Sequence, residues 1–282
     1  MSRPDRSKRM SGRGPLERDP VFERALQAQA AIDALGVRYS GVAIDSRKVK
    51  PGDLFLAYPG EIADGRSFIA QALAAGAIAV VWEASGFEWN PDWSIPNVQV
   101  TGLRHCVGMI AEEFFRNPSR DLWVAGITGT NGKTSCSHWI AQSLTRLGRQ
   151  CAVIGTLGSG LIGDGGDENY PLNTTPDPVS LHDFLGKVRA KGASAVAMEV
   201  SSHGVEQGRV NGVAFDVAMF TNLSRDHLDY HGDMFTYGEA KARLCAWPHL
   251  KYAVVNLDDA FGAELASRID RRHVNVIGYG FG

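Results

Sequence analysis

Gly126-Ile-Thr-Gly-Thr-Asn-Gly-Lys-Thr134 is the stretch on which the reading of this chain turns. An apolar run over 122–128 leads into it, and a helix is expected to leave it over 133–147. Strand, glycine-rich turn and helix in that order are what a phosphate loop needs. The glycines let backbone N–H groups turn toward phosphate oxygens, and the helix start adds its positive end. Lys133 can neutralise β/γ-phosphate charge, and the Thr134 hydroxyl can ligate Mg²⁺. The strict pattern Gly-x-x-x-x-Gly-Lys-(Ser/Thr) wants glycine at position 127, where this chain has Ile127 with Gly126 and Gly129 around it. The bland alternative is a plain glycine-rich turn. Gly-Lys-Thr at the helix start, with two more glycines upstream, disfavours it. The expected ATP contacts are Gly129, Thr130, Asn131, Gly132, Lys133, Thr134 and Ser135. Alone, the loop specifies a nucleoside triphosphate and does not separate a kinase from a ligase or a motor.

Downstream, apolar strands expected at 151–155, 193–200, 215–221, 252–256 and 274–277 alternate with helices expected at 179–190, 234–245 and 260–269. Near-continuous apolar strands are those of a parallel sheet covered on both faces. The reading is therefore α/β, a doubly wound, mostly parallel P-loop domain over 118–282, whose ligands gather beyond the carboxyl ends of the strands. Upstream, 20–117 reads as a smaller α/β domain. Its expected helices are 21–35, 68–75 and 103–115, and its expected strands are 41–44, 53–58 and 77–82. Asn117-Pro118-Ser119 breaks the pattern and marks the boundary. Residues 1–19 carry six Arg or Lys and little to bury, so a disordered, solvated tail is expected there rather than a nucleic-acid arm.

The chain has 282 residues, 44% of them hydrophobic and 21% charged, which is enough for two compact domains with real cores. A net charge of -2 gives no reason to expect a nucleic acid as partner. The longest apolar run, 72–82, is too short for a bilayer span, and the first twenty residues hold no apolar signal segment. Cys106, Cys136, Cys151 and Cys245 form no Cys-x-x-Cys pair and read as buried, reduced thiols. A cytoplasmic monomer without membrane contact is expected.

Two further groups sit at strand ends. Glu199 closes the apolar run Ala195-Val-Ala-Met198, and His227 follows the run ending at Thr221. A lone Glu or His is more often a surface or satisfied core group. Two of them ending neighbouring strands of a P-loop sheet favour a cation site instead, since carboxylate and imidazole both suit a hard-to-borderline metal. Asp226, Asp229 and His231 are weaker candidates, and either aspartate could cap a short helix. Spacing gives no reason to single out Lys241, because a helical lysine is ordinarily solvated.

These pieces converge on a resemblance. Asp45-Ser-Arg47, Pro51-Gly-Asp-Leu-Phe55, Ala63-Asp-Gly-Arg66, the loop ending at Thr134, Asn173-Thr-Thr175, Glu199-Val-Ser-Ser-His-Gly204 with Gln207 and Arg209, and Asn222-Leu-Ser-Arg-Asp-His-Leu-Asp-Tyr-His-Gly232 together resemble the Mur ligases. Within that family the MurE type, the UDP-N-acetylmuramoyl-tripeptide synthetases, is the most similar, from about Gly41 to the last residue. The resemblance implies that Ile44, Ser46 and the turn Glu61, Ile62, Ala63 hold the uridine diphosphate. It implies that Asn131, Asn173, Thr174, Thr175, Ser201, Gln207 and Arg209 contact the muramoyl-dipeptide. Lys133 and Thr134 would serve ATP; Thr134, Glu199 and His227 would hold Mg²⁺; Lys133, Lys241 and His227 would be catalytic, with Lys241 carbamylated.

The implied reaction is ATP-driven amide formation through an acyl phosphate. It would add a third amino acid to UDP-N-acetylmuramoyl-L-alanyl-D-glutamate. Family members are longer than this chain and continue with a C-terminal amino-acid-binding domain. A fragment that cannot complete the reaction alone is therefore expected. The alternatives are a non-catalytic UDP-sugar and ATP-binding module, or an ordinary P-loop kinase, against which the upstream motifs at 45–47 and 63–66 argue.

Overall fold

The chain builds two sheets in succession, and the computed structural model describes residues 21–163 and 173–281 of it. The expected tail, 1–19, lies outside the described residues. The first part runs α1 (Val21–Asp33), β1 (Gly41–Ala43), β2 (Asp53–Ala57), α2 (Ile69–Ala74), β3 (Ala79–Glu83), β4 (Asn97–Val100) and α3 (Leu103–Phe114). Its four strands pair in sequence order, all parallel. Leu54, Leu56, Ala79 and Val81 face α1 and α3. Phe55, Ala57, Val80 and Trp82 face α2 and the aromatic segment holding Trp89 and Trp93. That period-2 split of one apolar run onto two covered faces is why β2 and β3 read as continuous hydrophobic strings.

The second part runs β5 (Trp123–Thr128), α4 (Lys133–Arg146), β6 (Cys151–Gly155), β7 (Gly158–Leu161), α5 (Pro178–Ala190), β8 (Ala195–Glu199), α6 (Ser202–Glu206), β9 (Val217–Phe220), α7 (Leu228–His231), α8 (Met234–Ala242), β10 (Tyr252–Asn256), α9 (Ala260–Arg268) and β11 (Asn275–Tyr279). The strand order is β11-β10-β9-β5-β8-β6-β7, parallel throughout except the β6–β7 pair. Helix α4 packs through Ile140, Ala141 and Leu144 on one face, and α5 and α9 pack through Leu181, Leu185, Phe261 and Leu265 on the other. This is the doubly wound, mostly parallel arrangement expected.

Several expectations need correction. The helix expected over 68–75 is present as α2, Ile69–Ala74, but it is preceded by a 3-10 turn, Gly65–Phe68, which Asp64 caps by accepting from Arg66 N. The helix expected over 234–245 ends as α at Ala242 and tightens into a 3-10 turn, Arg243–Ala246. Strands β4 and β7 were not expected. The loop residue Asp226 does not cap α7: His227 is the N-cap residue, in the left-handed region at φ 49°, with no side-chain cap.

The two sheets meet through backbone. A Cβ on Gly108 of α3 would lie 2.0 Å from the carbonyl oxygen of Asn211. Asn211 Nδ2 donates to His105 O at 2.9 Å, and the Asn211 carbonyl also meets His182 Nε2 at 3.1 Å. Gly108→Ala would gain up to about 1 kcal/mol of helix preference. The overpacking it causes is with a carbonyl that cannot rotate away, at a cost of about 1–3 kcal/mol or more. A net loss of about 2 kcal/mol is expected in urea unfolding; unchanged stability would mean that α3 slides freely over this contact.

Candidate nucleotide and substrate site

Strand β5 delivers the chain to the carboxyl edge of the sheet at its centre, between β9 and β8. Position 127 needs no glycine because Ile127 is a buried core residue of β5. Gly126 is a packing glycine, since its Cβ would lie 2.7 Å from the Phe215 ring. The turn itself begins at Gly129 (φ 140°) and ends at Gly132 (φ 84°), the N-cap residue of α4. Asn222, just past β9, ties the turn down. Its carbonyl accepts from Thr130 N at 2.8 Å, its Oδ1 accepts from Asn131 N at 3.0 Å, and its Nδ2 donates to Asn131 O at 3.1 Å. Thr221 Oγ1 donates to Asn131 O at 2.7 Å.

Two lysines converge on this turn. Lys133 Nζ donates to Gly129 O and Thr130 O, both at 2.9 Å. Lys241 Nζ, from α8, donates to the same Gly129 O at 2.9 Å and sits 4.4 Å from the Tyr237 ring centroid. Burial lowers the pKa of Lys133, opposed by the charges of Glu199 and Asp226. Lys241 is 1% exposed. Burial first, then the Lys133 charge, brings it down to about 7, against the pull of Asp226. A neutral amine at physiological pH is the nucleophilic form that carbamylation requires.

Glu199, 1% exposed, ends β8 opposite Ile127 of β5. Its Oε1 accepts from Thr156 N at 2.9 Å and its Oε2 accepts from Thr156 Oγ1 at 3.2 Å. Gly155 lets the carboxylate in, because a Cβ there would lie 2.1 Å from Glu199 Oε1. His227 stands on the opposite side of β5, half-exposed, with Nε2 3.5 Å from Asp226 Oδ2 and its ring edge-on to His203 at 4.9 Å. Thr134 lies in the first turn of α4 beside Ser135, and its carbonyl accepts from Ser137 Oγ at 3.0 Å.

Among the described residues no group of three or more His, Cys, Asp or Glu could cage a metal, and no direct hydrogen bond joins Thr134, Glu199 and His227. The carboxylate of Glu199 and the hydroxyl of Thr134 at the edge of a phosphate loop suit Mg²⁺, which prefers oxygen ligands, keeps waters and takes phosphate oxygens, whereas the imidazole of His227 is a softer donor. The residues present therefore fit that ion.

A second constellation lies beside the first. Thr156 Oγ1, which donates to Glu199, lies 3.1 Å from Thr174 Oγ1 and can accept from it, so Thr174 and Glu199 share a partner. Thr175 Oγ1 donates to Glu199 O at 3.1 Å, accepts from Ser201 N at 3.0 Å and lies 3.1 Å from Ser201 Oγ. Arg209 donates through Nη1 to Thr175 O at 3.0 Å and through Nε to Gln207 Oε1 at 2.8 Å. Asn173 is exposed at the rim. Thr174, Thr175, Ser201, Gln207 and Arg209 thus form one connected network through Thr156 and Glu199. Thr156 belongs to it and was missed, because a threonine after a strand carries no sequence signal.

The third element is a cleft of about 610 Å³ beside β1, lined by Ile44, Ser46, Tyr58, Ile62, Ala63 and Asp177 among others. Ser46 Oγ donates to Gln71 Oε1 at 3.0 Å. Ile62 is fully exposed on its turn. The carboxylate of Glu61 is turned onto the guanidinium of Arg104.

A parallel sheet whose central strand runs through a glycine-lysine turn into a helix defines the P-loop class of α/β folds. Residues 38–115 match the profile described as "Mur ligase family, catalytic domain", and residues 127–282 match "Mur ligase middle domain". The chain belongs to the Mur ligase family. It is 53% identical over 252 residues to the UDP-N-acetylmuramoyl-L-alanyl-D-glutamate--2,6-diaminopimelate ligase of Chromobacterium violaceum, across 89% of this chain and 50% of that protein. The ligase of the same name from Ectopseudomonas mendocina is 54% identical over 245 residues, 86% of this chain and 49% of that one. A solved structure of a ligase of this name superimposes with a TM-score of 0.72 at 35% identity, covering 86% of this chain and 48% of that one. MurF from Thermotoga maritima, solved with ADP, shares the fold at a TM-score of 0.55 and 23% identity, over 88% of this chain and 51% of its own. The chain spans about half the length of the relatives it matches. Among the described residues no helix is long and apolar enough to cross a membrane.

Proposed function

We propose that this chain binds UDP-N-acetylmuramoyl-L-alanyl-D-glutamate and ATP for an amide ligase of peptidoglycan precursor synthesis. Residues 20–117 would hold the uridine diphosphate and residues 118–282 the ATP. The third amino acid would be 2,6-diaminopimelate, the substrate named for the relatives at more than half identity. The observation that carries the reading is the convergence on one turn of Lys133, Lys241 and the charges of Glu199 and Asp226.

In this reading the D-glutamyl carboxylate oxygen attacks the γ-phosphorus and ADP leaves. The amine of the third amino acid then attacks the acyl carbon, phosphate departs, and the amine loses its proton. Lys133 would exchange its hydrogen bonds to Gly129 O and Thr130 O for phosphate oxygens. Thr134, Glu199 and His227 would hold Mg²⁺, which when bound offsets phosphate charge. Thr174, Thr175, Ser201, Gln207 and Arg209 would fix the acceptor beside the loop, and such positioning supplies much of the rate. Lys241, once carbamylated, would exchange a cation for an anion with two oxygens.

Calorimetry tests this on the 282-residue chain. UDP-N-acetylmuramoyl-L-alanyl-D-glutamate and Mg-ATP should each bind, and ATP should bind more weakly when EDTA removes the cation. Binding of the UDP-sugar without ATP would instead support a non-catalytic module, and binding of ATP alone would support a kinase-like protein.

A further inference from the structure

Two arginines from different parts of the chain, Arg104 of α3 and Arg209 just past α6, influence the wall of the cleft and one another. Arg104, in the first turn of α3, donates to a carboxylate oxygen of Glu61, and their side chains stay 27% and 45% exposed. Arg209, in the turn after α6, is fixed by Thr175 O and Gln207 Oε1. Its pKa is lowered by burial and then by the charge of Arg104. Tyr58 and Asp177, both in the cleft wall, sit in the same field. Burial and the Asp177 charge push the Tyr58 hydroxyl up to about 12, and Arg104 and Arg209 pull it back.

Glu61 lies between Gly60 and Ile62, two residues of the same wall. An ionised carboxylate only accepts hydrogen bonds, so the side chain of Glu61, which the family resemblance implied would help hold the uridine diphosphate, cannot donate to a phosphate and would repel one. A guanidinium presents a planar fork that fits either a carboxylate or a phosphate, and it can exchange the first for the second.

We infer that Arg104 is a further substrate-binding residue, taking the diphosphate of the nucleotide-sugar in exchange for Glu61, which occupies its guanidinium while the cleft is empty. This rests on the UDP-sugar reading of the cleft. Its particular consequence is that the two partners of one ion pair act on binding in opposite directions. Glu61 competes with the substrate, so removing its charge helps; Arg104 serves the substrate, so removing its charge harms.

The test is calorimetric titration of UDP-N-acetylmuramoyl-L-alanyl-D-glutamate into the wild-type chain, Arg104→Gln, Glu61→Gln and the double variant, at two salt concentrations. Arg104→Gln should raise Kd about tenfold and flatten its salt dependence, as loss of a charge-assisted hydrogen bond does. Glu61→Gln should lower Kd by about threefold, and the double variant should resemble Arg104→Gln. Single variants that both weaken binding, or both leave it unchanged, would mark the pair as structural only and overturn the inference. Should Arg104→Gln fail to fold, Glu61→Gln decides: tighter binding supports the exchange, and binding no tighter overturns it. A wild-type chain that ignores the UDP-sugar refutes the reading of the cleft itself, an outcome distinct from variants that behave alike.

Discussion

Gly129→Ala is expected to raise the Kd for Mg-ATP at least about a hundredfold, equivalent to about 3 kcal/mol. Two costs add at this position. The residue holds φ 140°, where an alanine is strained by about 1–3 kcal/mol. Its Cβ would also lie 1.9 Å from Thr221 Oγ1 and 3.0 Å from Asn222 N, the two groups that pin the turn. Thr221 Oγ1 cannot retreat without giving up its hydrogen bond to Asn131 O. The turn must therefore move, and with it the carbonyl on which both lysines meet. Gly148→Ala is the control. It has a left-handed φ of 82° but open space around it, so it should cost about 1 kcal/mol of stability and leave ATP affinity alone. Equal ATP affinity in Gly129→Ala and wild type, measured by calorimetry, would show that the turn does not cradle the triphosphate.

The second large effect is a pH dependence. Lys241→Met should stabilise the chain in CO₂-free buffer below pH 7, and the gain should vanish as pH rises toward 10.5. The sign follows from proton linkage. The amine titrates at 10.5 when unfolded and at about 7 when folded. Between those values the unfolded chain binds the extra proton, so wild-type stability climbs with pH across that window. Below pH 7 both states are protonated and the native state bears the full cost of a buried cation. At about 1.36 kcal/mol per pH unit the shift corresponds to roughly 5 kcal/mol as a ceiling. Relaxation and the lost contacts to Gly129 O and Tyr237 reduce the expected gain to about 1–3 kcal/mol. Urea melts of both proteins from about pH 6 to about pH 10 check it. A difference that stays constant with pH would mean that Lys241 keeps its ordinary pKa.

The parts legible in the sequence are those whose signal is local. Gly129, Gly132 and Lys133 announce a strand–turn–helix within a dozen residues, and the apolar runs of β8 and β9 announce strands covered on both faces. Lys241 could not be separated from a solvated helical lysine by spacing, because its burial depends on the turn at Gly129, 112 residues away. Glu199 was legible as a strand-end carboxylate, whereas its partner Thr156 and the space left by Gly155 were not. The Arg104–Glu61 pair spans 43 residues and joins a helix to a turn, so nothing in either segment predicts it. Strand β7 was missed because Gly158-Ser-Gly-Leu161 has no apolar alternation, and it pairs antiparallel at the sheet margin. Strand β4 does alternate, but it is only four residues long and follows Pro96.

The stitching of the turn to Thr221 and Asn222 sets a timetable for biosynthesis. Thr130 and Asn131 reach their final shape only when partners about ninety residues later in the chain have arrived and β9 has settled beside β5. A ribosome-bound chain that has emerged only through α4 carries every residue of the glycine-lysine signature and still lacks the braces that shape it. The final shape of the turn thus waits for β9 and the residues just after it, well after the glycine-lysine signature itself has been made.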